Sequence, residues 1–187
     1  MTIVNYIYIA VISGYYSKSD WQKWADEEIL NNDEVKEWVY NVSLAKDTEE
    51  LYEAIYEKIM EESYYQNNEF LQEDVVVGYY YMLYREKRIS LYELISRLSD
   101  EDDISSSSSI HEIQNFYTIF KEINENNGLI DDCEFIEKIV ALLEPYRKLA
   151  EEQIIKLDAQ YDSLKNMDIS HIYISVQNLE TYNNYQK

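Results

Sequence analysis

The sequence feature that most constrains the fold is a helix-start signal that recurs along the chain. In five places a Ser or Asp is followed three residues later by an acidic residue, just before a run with helical apolar spacing. Such pairs can cap the free N–H groups at the start of a helix. The five pairs are Ser17/Asp20, Asp47/Glu50, Ser90/Glu93, Ser109/Glu112 and Asp131/Glu134. Three glycines and one proline leave few tight turns, so we predict an all-α fold.

The apolar runs predict a single-domain multi-helix bundle over residues 1–176, a length that suits one domain. The predicted helices lie near 3–14, 18–30, 34–41, 48–63, 70–86, 91–98, 110–126 and 132–163. The run Val75–Leu83 has little polar face and is predicted to be central. Pro145 falls inside the last pattern and leaves open whether that helix is continuous.

Two segments depart from helical spacing. Residues 99–109 read SDEDDISSSSS and are predicted to form an exposed acidic and serine-rich loop, or alternatively a hinge between two sub-bundles. Near the end of the chain, Ile172, Ile174 and Val176 alternate with polar residues, which favours a short C-terminal strand or an extended arm. Residues 177–187 show no periodicity, and we expect them to fray.

The charge is strongly unbalanced, with 37 acidic residues against 16 basic ones and a formal net charge of −21. Aromatic residues make up 14% of the chain, which indicates a folded core rather than disorder. The negative charge disfavours direct binding to nucleic acid or to an anionic membrane, and it favours a basic protein as partner. The single Cys133 precludes an internal disulfide, and the apolar residues 1–17 lack the features of a signal peptide. We therefore expect a cytoplasmic protein.

The sequence carries no catalytic signature. It contains no glycine-rich phosphate loop, no H-E-x-x-H and no C-x-x-C, and neither His111 nor His171 lies in a triad or ligand pattern. Cys133, close to a predicted helix start, is interpreted as an idle thiol. We expect a binding protein that is not an enzyme and that needs no cofactor.

Residues 123–134 resemble part of a calcium-binding helix–loop–helix. Matches fall at Glu125, Asn127, Gly128, Ile130 and Glu134. The first position, which normally holds Asp, is Ile123. Because that ligand is lost, the sequence predicts an ordinary helix stop and restart without a metal.

The acidic residues are concentrated. Residues 20–74 hold 17 acids and 4 bases, and Glu53, Glu57 and Glu61 follow one another at i,i+4 spacing on one predicted helix face. Each such like-charge pair costs about 0.2–0.5 kcal/mol, so the face is either merely solvated or kept for a cationic partner. Most nearby aromatics are expected in the core, with Tyr64 and Tyr65 exposed. The predicted partner-binding residues are Asp26, Glu27, Glu34, Glu37, Glu50, Glu53, Glu57, Glu61, Tyr64 and Tyr65.

Three segments carry a family resemblance. These are SGYYSKSDWQKWADEEIL at 13–30, VYNVSLAKD at 39–47 and GYYYMLYREKRISLYELISRLSD at 78–100. Together they resemble small bacterial immunity proteins, which bind and neutralise a cognate polymorphic toxin. The resemblance implies a toxin-binding role over roughly residues 1–165 and assigns no functional residues. The alternative hypothesis is a DNA mimic that inhibits a nuclease or a defence enzyme, because carboxylates along helices can imitate a phosphate track.

Overall fold

The computed structural model describes residues 3–65 and 72–158, without the side chains of residues 61–65 and Asn127. Within these residues the chain forms nine α-helices and no β-strand, which confirms the all-α multi-helix fold. The helices are α1 (Ile3–Ile12), α2 (Lys18–Asn31), α3 (Glu37–Leu44), α4 (Thr48–Tyr65), α5 (Gln72–Arg85), α6 (Leu91–Leu98), α7 (Ile110–Ile113), α8 (Phe116–Glu125) and α9 (Cys133–Asp158). Two 3₁₀ helices, Ile104–Ser107 and Asn127–Asp131, lie in the connections. The predicted arm at 172–176, the tail 177–187 and His171 lie outside the described residues.

Helix α5 forms the centre of the bundle, as its apolar sequence predicts, and every residue from Asp74 to Leu83 is buried. Its most extensive packing is against α9. Gly78 makes this close crossing possible, since a Cβ atom there would overlap the carbonyl oxygen of Tyr146 and lie 2.9 Å from the Cβ of Ala150. The two backbones therefore meet directly at Gly78.

Helix α1 is buried on nearly all sides and packs against α4, α5 and α9. It ends at Ile12, two residues before the predicted end, and Gly14 follows with a φ of 75° that suits glycine. Two arginines from later in the chain donate to carbonyl groups at this end. Arg97 donates to the Ser13 oxygen at 3.1 Å, and Arg88 to the Gly14 oxygen at 3.2 Å. These bonds join the end of α1 to α6 and to the connection that precedes it.

Helix α3 packs against both α2 and α4. It begins at Glu37, three residues later than predicted, because the chain is still extended at Lys36. The ring of Trp24 in α2 stacks on Trp38 in α3, with centroids 6.0 Å apart. The Trp24 indole N–H also donates to the carbonyl of Leu157 at 2.8 Å. The α2–α3 pair is therefore attached to the end of α9.

Helix α9 runs without interruption through Pro145, so its described part is one helix. Proline has no N–H to offer to the carbonyl of Ala141, but Ala141 is exposed and that carbonyl can accept from water. The predicted cap is displaced by one residue, because the side chain of Asp132, not Asp131, accepts the N–H of Phe135 at 2.8 Å. The predicted extension from 159 to 163 lies outside the described residues.

The single helix predicted over 110–126 is in fact two helices, α7 and α8. Asn115 caps the second, since its side-chain oxygen accepts the N–H of Thr118 at 2.9 Å. The predicted cap by Ser109 is wrong, as its side chain makes no capping bond to α7. Its hydroxyl instead contacts the carboxylate of Asp74 and the hydroxyl of Tyr146. A tertiary bond has replaced the local one.

The predicted exposure of residues 99–109 holds for residues 100–102 and for Ile104 and Ser107. Ser105 and Ser108 are buried, with 0% and 2% of their surfaces exposed, and the segment packs against α5. Tyr80 in α5 donates its hydroxyl to Asp103 at 2.9 Å. Ser108 donates its hydroxyl to the buried carboxylate of Asp74 at 2.6 Å, whereas the buried hydroxyl of Ser105 has no hydrogen-bond partner among the described residues.

Candidate partner-binding groove

An open groove of about 870 Å³ lies between α3 and α4. It is lined by four carboxylates, one ammonium group, three aromatic rings, an amide and a small apolar side chain. These belong to Glu37, Trp38, Asn41, Glu49, Tyr52, Glu53, Ala54, Tyr56, Glu57 and Lys58. The lining has an excess of three negative charges, and aromatic surface lies between those charges.

The spacing of apolar residues in α4 explains how the groove is formed. Leu51 and Ile55 are buried and fix the face of α4 that meets the core. With 3.6 residues per turn, each next position lies about 100° further round the helix. Tyr52 and Tyr56 are therefore at the flank of the core face, and Glu53 follows on the outer side. A row of rings and a row of carboxylates run side by side along α4.

The two tyrosines of this row are supported from beneath. Tyr8 of α1 packs against Tyr52 with ring centroids 5.5 Å apart, and Tyr52 packs against Tyr56 at 5.4 Å. Even so, 37% of Tyr52 and 42% of Tyr56 remain exposed. Large rings that are held in place yet open to solvent are typical of protein-binding surfaces, since they offer contact area at a low cost in side-chain entropy.

Exposed apolar side chains are concentrated on the same part of the molecule. Of eleven large apolar residues that are exposed in the described part of the chain, six belong to α2, α3 and α4. They are Leu30, Tyr40, Leu44, Tyr52, Tyr56 and Met60. Exposed apolar side chains beside charged ones favour a binding surface over a merely solvated face, because solvation alone does not require exposed rings.

Three of the predicted site residues come together in this groove. Glu37 from α3 and Glu53 and Glu57 from α4 line it, and all three are exposed. No ion pair joins any of these three carboxylates to a base of the described residues. They are therefore placed to receive a cation from another molecule.

Three other predicted residues are exposed but lie outside the groove lining. Asp26 accepts a hydrogen bond from the Ser43 hydroxyl at 2.5 Å, and Glu27 pairs with Lys23 at 3.7 Å. Glu34 lies in the connection between α2 and α3. The ten predicted residues therefore do not form one continuous site.

Glu50 has a structural role that the sequence analysis did not separate from the acidic face. Its carboxylate accepts the backbone N–H of Lys46 at 2.9 Å and pairs with the Lys46 ammonium at 3.2 Å. The backbone hydrogen bond is the main cause that lowers the pKa of Glu50. Asp47 caps the start of α4 by accepting the N–H of Glu50 at 2.9 Å, and the Glu50 carboxylate holds the residue before this cap and does not line the groove. The described side chains do not include those of Glu61, Tyr64 and Tyr65.

Several groove residues lie outside the predicted partner-binding set. Trp38, Tyr52 and Tyr56 are among the aromatics near the acidic face for which the core is predicted, whereas Tyr52 and Tyr56 are exposed. Their position directly after Leu51 and Ile55 is the signal that could have identified them. Lys58 also lines the groove, so the acidic face is not free of basic residues.

The described part of the chain contains neither a candidate metal cluster nor a candidate membrane span. No three His, Cys, Asp or Glu side chains lie where they could hold a metal ion together. In the calcium-like segment, Ile123 is fully buried in the core, and Asn126 accepts the N–H of Gly128 at 3.2 Å. The segment forms the helix stop and restart that the sequence predicts. No described helix combines the length and apolar character needed to cross a membrane.

Comparisons of the chain with protein-family models, curated proteins and solved structures found no match.

Proposed function

We propose that this chain neutralises a basic protein, and that it is an immunity-type protein which binds a cognate toxin in the cytoplasm of the producing bacterium. The α3–α4 groove is the proposed binding site. One observation carries the proposal: exposed carboxylates that pair with no base of the described residues share one groove with exposed, supported tyrosines. The resemblance of three segments to immunity proteins supports the choice of a toxin as partner.

The arrangement of charge supports a protein partner. Glu49, Glu53 and Glu57 are successive i,i+4 neighbours, an arrangement that lowers helix stability. Such a cost is expected where charge serves association, because complementary charges speed the encounter of two proteins and exclude wrong partners. The rings would then supply the contact area that keeps the complex together.

A DNA mimic is less consistent with the same groove. A mimic of the phosphate track needs carboxylates over an open surface, whereas here the carboxylates share a groove with the rings of Trp38, Tyr52 and Tyr56. The two functions differ in the breadth of partners. A mimic should inhibit several unrelated DNA-binding proteins, and an immunity protein should inhibit one.

The proposal can be tested by coexpression with the product of the neighbouring reading frame. We expect that product to arrest growth and this chain to restore it. The variant Glu37→Gln, Glu53→Gln, Glu57→Gln should restore growth poorly and should bind the purified product more weakly at low salt. A matched variant with Glu101→Gln, Glu122→Gln and Glu125→Gln removes the same charge from exposed positions outside the groove. It should behave like the wild type.

Equal binding by the two triple variants would show that the groove is not the site. Inhibition of a panel of unrelated nucleases by the wild-type chain would favour the mimic. A neighbouring product that is harmless would remove the toxin from the proposal.

A further inference from the structure

We propose that the α3–α4 groove selects arginine over lysine, and that its occupant is a segment of the partner with arginines one helical turn apart. This inference rests on the proposed function and specifies the partner chemistry for the same groove. It follows from three relationships between side chains: one inside the groove, one elsewhere in the chain and one in the spacing along α4.

Inside the groove, each exposed ring has a carboxylate beside it. Glu49 and Tyr52 are three residues apart on α4, as are Glu53 and Tyr56, so each ring has a carboxylate one turn before it on the same side of the helix, and all four side chains line the groove. A guanidinium group can lie flat on a ring and at the same time donate two parallel hydrogen bonds to a carboxylate. An ammonium group is a compact, strongly hydrated charge and cannot make both contacts in this way. The pairing of ring and carboxylate therefore favours arginine.

The same combination of ring, carboxylate and arginine occurs within the chain, where Tyr15 meets two residues that follow α5. The guanidinium carbon of Arg88 lies 5.3 Å from the centre of the Tyr15 ring. The hydroxyl of Tyr15 donates to Glu86 at 2.8 Å, and Arg88 pairs with Glu86 at 3.6 Å. A tyrosine, a glutamate and an arginine thus form one cluster. Tyr52 with Glu49, and Tyr56 with Glu53, provide two members of such a cluster and would take the third from the partner.

Two further arginines lie over tyrosine rings in the described part of the fold, where Lys156 also lies over Tyr6 at 5.6 Å. Arg97 lies over Tyr80 at 4.9 Å and Arg85 over Tyr81 at 5.9 Å. These contacts bridge elements or cap the end of a helix, so they are part of the packing. Tyr52 and Tyr56 have ring neighbours but no arginine among the described residues.

The spacing of the carboxylates defines the spacing of the partner's bases. Glu49, Glu53 and Glu57 succeed one another every four residues, a rise of about 6 Å per step. A partner helix that carries arginines four residues apart has the same repeat. The groove volume of about 870 Å³ is large enough for several side chains of such a segment. Lys58 places a positive charge in the lining, so the groove also limits how a basic segment can lie in it.

The test uses two alanine-based helical peptides of equal charge, one with arginines every four residues and one with lysines at the same positions. Calorimetric titration into the full chain should show tighter binding of the arginine peptide, by roughly two- to fivefold for each stacked arginine. The double variant Tyr52→Leu, Tyr56→Leu should lose this preference. The variant Tyr52→Phe, Tyr56→Phe keeps both rings and should retain it. Tyr117→Leu, at an exposed tyrosine on α8, is the matched control.

The variants are compared only after thermal melting shows that they are folded. The phenylalanine variant keeps the inference testable if the leucine variant unfolds. Equal affinity for the two peptides would overturn arginine selectivity and leave a charge-based groove, and hence the proposed function, standing. Loss of preference in Tyr117→Leu would overturn the assignment to the groove. Absence of binding by either peptide at low salt would overturn the inference, and growth rescue would still decide the proposed function separately.

Discussion

The hydroxyl of Ser108 donates to the carboxylate of Asp74 at 2.6 Å, although 34 residues separate them in the chain. Ser109 adds its backbone N–H at 2.8 Å and its hydroxyl at 3.0 Å. Only 2% of Asp74 is exposed. A buried carboxylate is costly unless hydrogen bonds satisfy it, and here two consecutive serines do so. These bonds hold the serine-rich segment against the first turn of α5.

Replacing Asp74 with alanine should therefore destabilise the fold and release the segment. Both hydroxyls and one backbone N–H would lose their acceptor, so we expect the free energy of unfolding to fall by about 2–4 kcal/mol. Urea denaturation measures the loss, and limited proteolysis should show faster cleavage within residues 100–109. Asp102→Ala, at an exposed acid of the same segment, is the control. If both variants unfold at the same urea concentration, the Asp74 network contributes little.

The Asp74 network also shows where local sequence signals fail. Ser90 and Glu93 form the capping box that their spacing predicts, because nothing else competes for the Ser90 hydroxyl. Ser109 and Glu112 have the same spacing, yet the Ser109 hydroxyl is recruited by Asp74. Helix existence and most helix positions could be predicted because apolar spacing is local. Which hydroxyl serves a cap and which serves a buried acid depends on the tertiary packing.

The residues of the groove could likewise be predicted only in part from the sequence. Exposed Glu53 and Glu57 could be predicted from charge and helical spacing. Their meeting with Glu37 and Trp38 could not, because it depends on how α3 packs beside α4. The exposure of Tyr52 contradicted the expectation that an aromatic residue joins the core. Aromatic residues are buried on average, but Tyr52 is exposed because it lies at the flank of the core face of α4.

The contact between α5 and α9 predicts that Gly78→Ala is harmful. Alanine normally stabilises a helix interior relative to glycine, by about 1 kcal/mol. Here the new Cβ would overlap the Tyr146 carbonyl oxygen, which is backbone and cannot move aside cheaply. We expect a net loss of about 1–3 kcal/mol in chemical denaturation. Gly128→Ala should cost less, because its new Cβ would lie 3.3 Å from the side-chain oxygen of Asn126, which needs to shift by only a few tenths of an ångström. A stabilised Gly78→Ala would show that α5 and α9 are further apart.

The capping box of α6 predicts a defined effect of pH. The backbone N–H of Ser90 donates to Glu93 at 2.7 Å, and this bond is the main cause that lowers the Glu93 pKa. A carboxyl whose pKa is lowered by folding stabilises the fold above its unfolded pKa, and this contribution is lost as pH falls through the folded pKa. Glu93→Gln should be less stable than the wild type at pH 7, and the difference should shrink toward about pH 3.

The contribution of Ser90 to the same capping box can be tested separately from that of Glu93. Ser90→Ala should lower the free energy of unfolding by about 1 kcal/mol, because the Glu93 N–H loses its acceptor. The exposed Ser107→Ala is the comparison. A Glu93→Gln difference that stayed constant between pH 7 and pH 3 would mean that the charge of Glu93 has no part in the cap.

The carboxylate row of α4 predicts that stability and binding change in opposite directions. Glu53 has Glu49 four residues before it and Glu57 four residues after it, so Glu53→Lys replaces two repulsions with two attractions. We expect the free energy of unfolding to rise by about 0.5–1 kcal/mol at low ionic strength, and the gain to shrink in high salt as the charges are screened. Glu134→Lys is the contrasting variant, because Glu134 lies in the first turn of α9 and four residues before Lys138. It should lose stability.

If Glu53→Lys is both more stable and weaker in binding the basic partner, then the like charges of α4 are retained for association at the expense of stability. If it is more stable and binds equally well, the row is only a solvated face.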